Sequence, residues 1–497
     1  MTTPDPAENP ATSTTFRPDA HTWAALATEF YLNRAAHRGG IAGADSFASE
    51  LGLPSGPLVF SGHQATFWHP GILAKLFAST AVAAKIGSEA SAVWLVVDQD
   101  ATDAARIELP ATTPEGVRSS AVHTLSSDLR GTILTDATPS LARPRLVPPT
   151  AAAIAAFANV AASTRGSLEA LANAIAKVGA NASQSLQVSM ATDTLLAPVL
   201  GQEPPTRRLL ASELSRTTLF RELCRRMLAD PDACTRAYNQ AAGEHPDAGL
   251  RPLECAGSRV ELPLWKLGSA KRGTPRERVL ASELEALLSA PDAAAIPTLL
   301  PRALLMTALV RLAGACLFIH GLGGEKYDPA TERWLALWLT DVPSLKLAPA
   351  VIATASLYLK QDGPPPAQTQ HARNVDIQRL RRVRYDPLSV HNESLDQAKH
   401  AALAEIEAHP RRSPQRRAAY IRLTHIIEQH RTVHTADVLR AEAARHQLLA
   451  RTSEANIPDI DPALRRDWPF FLYPAQALIN LRDRVYSAIG APTPYHR

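Results

Sequence analysis

The sequence has little cysteine, little excess of either charge and no long apolar run, and each shortage excludes a class of protein. Only four of the 497 residues are cysteines, and none forms a CxxC pair, which argues against a disulfide framework or a cysteine-based zinc site. The 52 basic and 48 acidic side chains leave a net charge of +4, so the pI of about 8.9 gives little support to a nucleic-acid partner. No apolar run is long enough to span a bilayer.

The first six residues also lack the basic-then-apolar order of a secretory signal. We therefore expect a cytoplasmic protein with neither a membrane nor a nucleic-acid partner. Hydrophobic residues make up 45% of the chain, which is enough for a substantial core. A chain of this length predicts two or three structural units.

Composition and periodicity predict an α/β protein with a parallel βαβ core, an inserted segment and a C-terminal helical hairpin; the Rossmann-like character of the core and a short coiled coil are implied by the family resemblance given below. The short apolar run 186–190 is predicted as a core strand. Apolar stripes at 420–427 and 438–449, on either side of a polar break at 432–435, predict the hairpin. The expected segments are a disordered tail (1–20), the core in two parts (21–200 and 301–370), an inserted mixed segment (201–300), the helical region (371–467) and a return to the core (468–497).

A strand, a polar turn and a helix are predicted between residues 57 and 87. The apolar run 57–60 reads as a strand, and Pro70 suits the first position of a helix that extends to Ile86, with Gly87 as its cap. A second strand is expected at Val93–Val97. Strand, helix and strand at this spacing predict a right-handed parallel βαβ unit.

The turn between that strand and helix carries two histidine motifs, Gly62-His63-Gln64 and His69-Pro70-Gly71. The first N–H groups of a helix lack internal partners, so they can receive an anion beside the two imidazoles. The candidate catalytic residues are His63 and His69, and the candidate binding residues are Gly62, Gln64 and Gly71. The structural alternative is that His63 caps the turn and His69 satisfies the first helical N–H groups.

Two acidic residues, Asp98 and Asp100, follow the second strand. In open α/β sheets, the carboxyl ends of parallel strands form the ligand crevice. Carboxylates there could bind a hydroxyl or ammonium group, hold magnesium or act as a base, and both residues are candidate catalytic groups. The alternative is that they cap the next segment.

A glycine-rich turn follows a third predicted strand, 317–320. Its glycines permit unusual backbone angles and a close approach by a ligand, and its lysine supplies a cation. We expect Asp328 and Pro329 to form the N-cap and first turn of the next helix. The turn matches neither a Walker loop nor the GxGxxG fingerprint. Its candidate binding residues are His320, Gly321, Gly323, Gly324, Glu325, Lys326 and Tyr327. Because the ends of parallel strands bring distant loops together, we expect His63, His69, Asp98 and His320 to share one crevice.

The first histidine motif, the acidic strand end at 94–100 and the glycine-rich turn at 320–327 together resemble the bacillithiol-biosynthesis cysteine-adding enzymes, also called putative cysteine ligases. The resemblance covers mainly residues 55–110 and 300–360. It implies a Rossmann-like core with connecting-peptide insertions and a C-terminal coiled-coil element used in dimerisation. It also implies that cysteine is added to a glucosaminyl-malate acceptor.

Three functions stay open at this point. The leading hypothesis is a carbon–nitrogen ligase that joins cysteine or a similar amino acid to an amino-sugar-type acceptor. A nucleotidyltransferase is the first alternative, because residues 69–72 match part of the HxGH motif of that superfamily. The second is a non-catalytic dimeric scaffold. The cofactor is unidentified, with ATP and Mg²⁺ as candidates; no metal-ligand set is assigned, and the expected partners are small-molecule substrates and a second copy of the chain.

Overall fold

A computed structural model describes most of the chain as a mixed α/β protein. None of the helices it describes is both long and apolar enough to cross a membrane. The described residues are 12–99, 106–112, 117–125, 146–150, 154, 162–178, 183–201, 206–257, 259–267, 276–289, 299–342, 344–361, 370–410, 413–450 and 461–493.

The strands and helices are numbered here in chain order. The strands are β1 (Ser13–Arg17), β2 (Leu58–Gln64), β3 (Ser91–Val97), β4 (Arg106–Thr112), β5 (Arg118–Thr124), β6 (Thr206–Leu210), β7 (Cys255–Ala256), β8 (Arg259–Leu267), β9 (Arg276–Leu280), β10 (Leu299–Pro301), β11 (Leu317–His320) and β12 (Ala350–Ser356). The helices are α1 (Trp23–Leu32), α2 (Arg34–His37), α3 (Phe47–Glu50), α4 (Pro70–Ile86), α5 (Ala162–Lys177), α6 (Gln184–Leu200), α7 (Thr218–Ala229), α8 (Pro231–Glu244), α9 (Ala281–Ser289), α10 (Ala303–Leu309), α11 (Gly324–Trp338), α12 (Gln370–Arg382), α13 (Glu393–Ala408), α14 (Pro414–Val433), α15 (Thr435–Ala450) and α16 (Ala475–Ile489).

A six-stranded sheet forms the centre of the first compact unit, with the order β1-β12-β11-β2-β3-β6. All its neighbouring strands are parallel except β1, which pairs antiparallel with β12. The predicted βαβ unit is confirmed: α4 runs from Pro70 to Ile86, Gly87 ends it, and β2 and β3 pair in parallel. This unit comprises 1–110, 121–360 and 466–497.

Strand β1 corrects the prediction of a disordered tail over residues 1–20. Ser13 to Arg17 pair with β12 along the edge of the sheet, and Phe16 packs edge-on against Trp23. The composition of the tail is polar, which suits β1, because it is an edge strand of the described sheet and its side chains are half-buried or exposed. Residues 1–11 of the predicted tail lie outside the described residues.

Helix α4 is buried over most of its length, between the sheet and α16. Its side chains from Ile72 to Ala83 are mainly small or apolar, so the helix can be covered on both sides. Tyr486 of α16 bonds to the Thr80 hydroxyl at 2.9 Å within this interface. Lys75 is the single charged residue in that stretch of sequence, and it is 5% exposed.

Two local predictions are wrong. The segment 186–190, predicted as a strand, belongs to α6, which Ser183 caps through a hydrogen bond from the Leu186 N–H. A run of five residues is too short for its period to separate a strand from a buried helix. Asp328 and Pro329 do not begin a helix, because α11 already begins at Gly324 and both residues lie inside it.

The second compact unit comprises 111–120 and 361–465, and its C-terminal part is helical. The predicted hairpin between α14 and α15 is wrong, since α14 packs mainly on α13 and α15 packs on α12. Only His434 separates α14 from α15, which is too little chain to reverse direction. Self-association through this region stays a prediction.

Candidate functional site

Three of the predicted motifs lie at the carboxyl edge of the sheet, at the ends of β2, β3 and β11. Strand β2 lies between the other two, so these strand ends are direct neighbours. In register, His63 of β2 pairs with Val96 of β3, and Ile319 of β11 pairs with Ser61 of β2. The strand ends that carry the motifs therefore meet at one edge, as the sequence predicted.

The direction of the side chains differs from our expectation that His63, His69, Asp98 and His320 share one crevice. Side chains alternate along a strand, and paired residues of neighbouring strands point to the same face. His63 therefore points to the face of Ser61 and Trp94, where α4 packs. His320 points to the opposite face, that of Phe318, and approaches α11.

The two histidines nevertheless flank one feature of the topology. The chain builds the sheet outward from β2 through β3 to β6, and then returns to the other side of β2 with β11 and β12. The strand order therefore reverses between β2 and β11. In open α/β sheets, the ligand crevice lies at the carboxyl ends of the strands where this reversal occurs.

Lys75 is the residue that the sequence analysis missed. Its ammonium group donates to the Gly62 carbonyl at 2.5 Å and lies 5.5 Å from the centre of the Trp94 ring. Burial lowers the pKa of this amine from 10.5 to about 7, and no carboxylate in the described part of the chain pairs with it. Lys75 therefore places an amine that is partly neutral at pH 7 at the end of β2.

His63 is a neutral imidazole whose proton position follows from its hydrogen bond. Burial, and then the charge of Lys75, lower the pKa of His63 to about 3. Its Nδ1 lies 3.2 Å from the Gln64 carbonyl oxygen, and a carbonyl oxygen can only accept. The proton therefore sits on Nδ1, and Nε2 presents a lone pair.

His69 is the N-cap of α4, as the structural alternative anticipated. Its Nδ1 accepts the Gly71 N–H at 3.1 Å, and its carbonyl accepts the N–H groups of Ile72 and Leu73. The prediction that these N–H groups are free for an anion is therefore wrong. Burial, and then the charge of Arg466, lower the pKa of His69 to about 4, so the ring is neutral and its proton lies on Nε2.

Lys75, His63 and His69 form a group that we call the Lys75 centre. It combines a lone pair on Nε2 of His63, a proton on Nε2 of His69 and an amine that can bind or release a proton at neutral pH. The neighbouring Trp68 and Trp94 rings are 4.5 Å apart, and their buried indole N–H groups have no hydrogen-bond partner among the described residues. Such an excess of donors suits a ligand that carries a carboxylate, phosphate or carbonyl oxygen.

The acidic strand end has a capping role. Asp98 is fully buried, and it accepts hydrogen bonds from the backbone N–H of Ser212 at 2.9 Å and from the Ser212 hydroxyl at 2.5 Å. Because both its oxygens are bonded to Ser212, Asp98 is not placed to contact a substrate. Gln99, which follows it, is buried and donates to the Pro301 carbonyl. Asp100, the other candidate catalytic residue, lies outside the described residues.

Two of the candidate glycines are required by close packing. A Cβ at Gly62 would lie 2.4 Å from the Leu95 carbonyl oxygen, so a side chain there would force β2 away from β3. A Cβ at Gly71 would lie 2.9 Å from the Ala355 carbonyl oxygen and 2.7 Å from the His69 ring. These glycines let α4 and its histidine cap approach the sheet, and Gln64 ends β2 beside them.

The glycine-rich turn does not use the unusual backbone angles that we expected of it. None of Gly321, Gly323 and Gly324 has a positive φ. Gly324 is needed for space instead, because a Cβ there would lie 2.3 Å from the His320 ring. The three remaining candidates of the turn are exposed. Glu325 pairs with Arg17 at 2.8 Å, and Lys326 and Tyr327 follow it.

The difference between these glycines gives a direct test. We expect Gly324→Ala to lower the free energy of unfolding by roughly 1–3 kcal/mol, because the His320 ring must move. Gly323→Ala is the matched control, since a Cβ there meets no atom within 4 Å. It should change stability by less than about 0.5 kcal/mol. Urea unfolding of both variants would measure this, and equal stabilities would show that the ring does not depend on Gly324.

Within the part of the chain that the structure describes, no three His, Cys, Asp or Glu side chains lie close enough together to hold a metal ion. No family model matches the chain, and no curated protein is detectably similar to it. The function is therefore proposed from the residues of the site and their geometry.

Proposed function

We propose that this protein is a carbon–nitrogen ligase whose reaction occurs at the Lys75 centre. It would join the carboxylate of cysteine or a similar amino acid to the amine of an amino-sugar-type acceptor, as the family resemblance implies. The observation that carries the proposal is Lys75, a buried amine with a pKa of about 7 beside two neutral imidazoles that present opposite groups. Amide formation needs such a set, because a proton must leave the amine while negative charge develops on oxygen.

The topology supports a Rossmann-like relation and the location of the site. Numbered along the chain, the five parallel strands of the sheet have the spatial order 5-4-1-2-3. Read from the other edge, this is the 3-2-1-4-5 order of doubly wound nucleotide-binding folds. The Lys75 centre lies at the carboxyl end of the strand where that order reverses.

A free carboxylate does not form an amide readily, so the reaction requires activation. We assign this role to a nucleoside triphosphate as co-substrate: the carboxylate oxygen attacks the α-phosphate, pyrophosphate leaves, and an acyl adenylate remains. The acceptor amine then attacks the acyl carbon, the carbon–oxygen bond to AMP breaks, and the amine proton goes to Lys75. The excess of donors around Lys75 suits the carboxylate and phosphate oxygens of these species.

Each imidazole has a separate part in this scheme. The Nε2 lone pair of His63 accepts a hydrogen bond from the attacking nitrogen, which directs it toward the acyl carbon. The Nε2 proton of His69 is donated to the oxygen on which charge develops. Since His63 carries a pKa of about 3, it orients the amine, and Lys75 is the better acceptor for its proton.

Product analysis tests the proposal. The purified protein would be incubated with ATP, Mg²⁺, cysteine and glucosaminyl-malate, and the products separated by mass. We expect an amide and AMP in equal amounts, and neither when cysteine or the acceptor amine is omitted. A stable nucleotide-linked product would favour the nucleotidyltransferase alternative. No product, together with no ligand-dependent change in melting temperature, would favour the scaffold.

A further inference from the structure

A second group of ionisable side chains lies across the β2–β11 boundary from the Lys75 centre. His320 Nε2 lies 3.1 Å from Asp328 Oδ1, an ion-pair distance without the alignment of a hydrogen bond. The same oxygen lies 3.1 Å from a guanidinium nitrogen of Arg311. Arg311 is buried, donates to the Ala348 carbonyl and also pairs with Glu332. The side chain of His320 is 17% exposed, whereas the side chains of Asp328 and Arg311, which lie behind it, are 8% and 1% exposed.

The charges of this group would stabilise the imidazolium that forms when His320 accepts a proton. Arg311 contributes one positive charge, whereas Asp328 and Glu332 contribute two negative charges. An imidazolium at His320 would bring the sum to zero, and Asp328 is the carboxylate that faces it. The second oxygen of Asp328 is buried and has no hydrogen-bond partner among the described residues.

The turn that carries His320 passes beside Lys75. A Cβ at Gly321, the next residue, would lie 3.7 Å from Lys75 Cδ, so the lysine chain passes beside the turn that carries His320. Lys75 reaches the end of β2 from the α4 face, and His320 reaches the end of β11 from the other face. A substrate at the boundary between β2 and β11 would have one of these groups on each side.

The chemistry requires two proton acceptors. An amine acceptor is an ammonium ion in neutral water, and it must lose one proton before it can attack and a second when the amide forms. We propose that His320, positioned by Asp328, takes the first proton, and that Lys75 takes the second. The N–H bond of the ammonium breaks, its proton moves to the ring nitrogen of His320 that does not face Asp328, and the electron pair stays on the attacking nitrogen. This inference rests on the proposed ligase function.

A comparison of two nucleophiles tests it. Hydroxylamine is uncharged at neutral pH, so it needs to lose only the second proton, whereas the amino-sugar acceptor needs to lose both. We expect His320→Gln to lower amide formation from the ammonium acceptor by about 10²-fold, with little change in hydroxamate formation from hydroxylamine. Lys75→Met should lower both reactions. His400→Gln is the matched control, since His400 also pairs with an aspartate, Asp396, but lies on α13 of the second unit.

The outcomes separate the two proposals. If the wild-type protein makes neither amide nor hydroxamate, the ligase function itself is wrong. If it makes both and His320→Gln lowers them equally, or lowers neither, then His320 is not the first proton acceptor. Selective loss of the amide reaction, with His400→Gln unchanged, is the result that supports the inference. Retained hydroxamate formation also shows that the variant is folded.

Discussion

Replacement of Lys75 by methionine should abolish turnover and stabilise the folded protein at pH 7. Methionine fills a similar volume but can neither accept a proton nor donate to a carboxylate or phosphate. We expect amide formation to fall by about 10³-fold. The same change removes a buried charge that has no described carboxylate partner, so the free energy of unfolding should rise by roughly 1–4 kcal/mol. Turnover and urea unfolding would be measured on the same preparation.

The stabilisation should depend on pH in one direction. In the unfolded chain Lys75 holds its proton up to its ordinary pKa of 10.5, whereas in the folded protein it loses the proton near pH 7. Between these values the unfolded state binds more protons than the folded state does. The contribution of Lys75 to the free energy of unfolding therefore rises with pH. The advantage of Lys75→Met should therefore be largest at pH 7 and below, and should vanish toward pH 10.5.

Lys85→Met is the matched control for this experiment. Lys85 lies on the same helix, but it is exposed and its ammonium group donates to the Ile489 carbonyl. We expect no loss of turnover and no increase in stability at pH 7. If Lys75→Met retains turnover, or shows the same pH dependence of unfolding as the wild type, Lys75 is not the proton acceptor.

The second large effect is a difference between the two histidines of the Lys75 centre: both should be needed for turnover, but only His69 should be needed for stability. His63→Ala is expected to lower turnover by about 10²-fold with little change in melting temperature, because in the described part of the chain the ring bonds only to the adjacent backbone. His69→Ala should lower turnover by about 10²-fold and also cost about 1 kcal/mol, because it removes the N-cap of α4.

His69→Asn resolves the two roles of His69. Asparagine is a strong N-cap, so its side-chain oxygen can replace Nδ1 as the acceptor of the Gly71 N–H. It is too short to place a donor where Nε2 lies. We expect wild-type stability with turnover as low as in His69→Ala, measured by thermal unfolding and product formation. Recovery of turnover together with stability would show that His69 acts only as a cap.

The local structure around these histidines followed from the sequence because each signal was local. Pro70 and Gly87 gave the bounds of α4, and the apolar runs on either side gave β2 and β3. A proline at the first helical position and a glycine at the end act through the backbone of one turn. Tertiary contacts do not have to be known for such signals to be correct.

The predictions that were wrong depend on contacts between distant parts of the chain. Asp98 was predicted as a catalytic group, but it caps the segment that begins at Ala211, which the sequence near residue 98 cannot indicate. Asp328 was predicted to begin a helix, but it lies inside α11 and pairs with the buried Arg311, which is distant in sequence from the turn. The edge strand β1 depends on β12, more than three hundred residues away.

The sequence does contain a signal for Lys75. It is the one charged residue in the apolar stretch of α4, and a lysine in a helix that is apolar on most sides must either reach the surface or be buried. Burial without a paired carboxylate is unusual for lysine and is found at functional sites. The sequence could not choose between these outcomes, because α16, which covers the other side of α4, follows four hundred residues later.

Transfer of oxygen from the amino acid to the nucleotide tests the central claim most directly. Cysteine labelled with ¹⁸O in its carboxylate would be incubated with ATP, the acceptor and the protein, and the AMP analysed by mass. Because the carboxylate oxygen attacks the α-phosphate and stays there when the amide forms, we predict one ¹⁸O in each AMP, and none with Lys75→Met because turnover is lost. Amide formed with unlabelled AMP, or amide formed without nucleotide cleavage, would contradict the account.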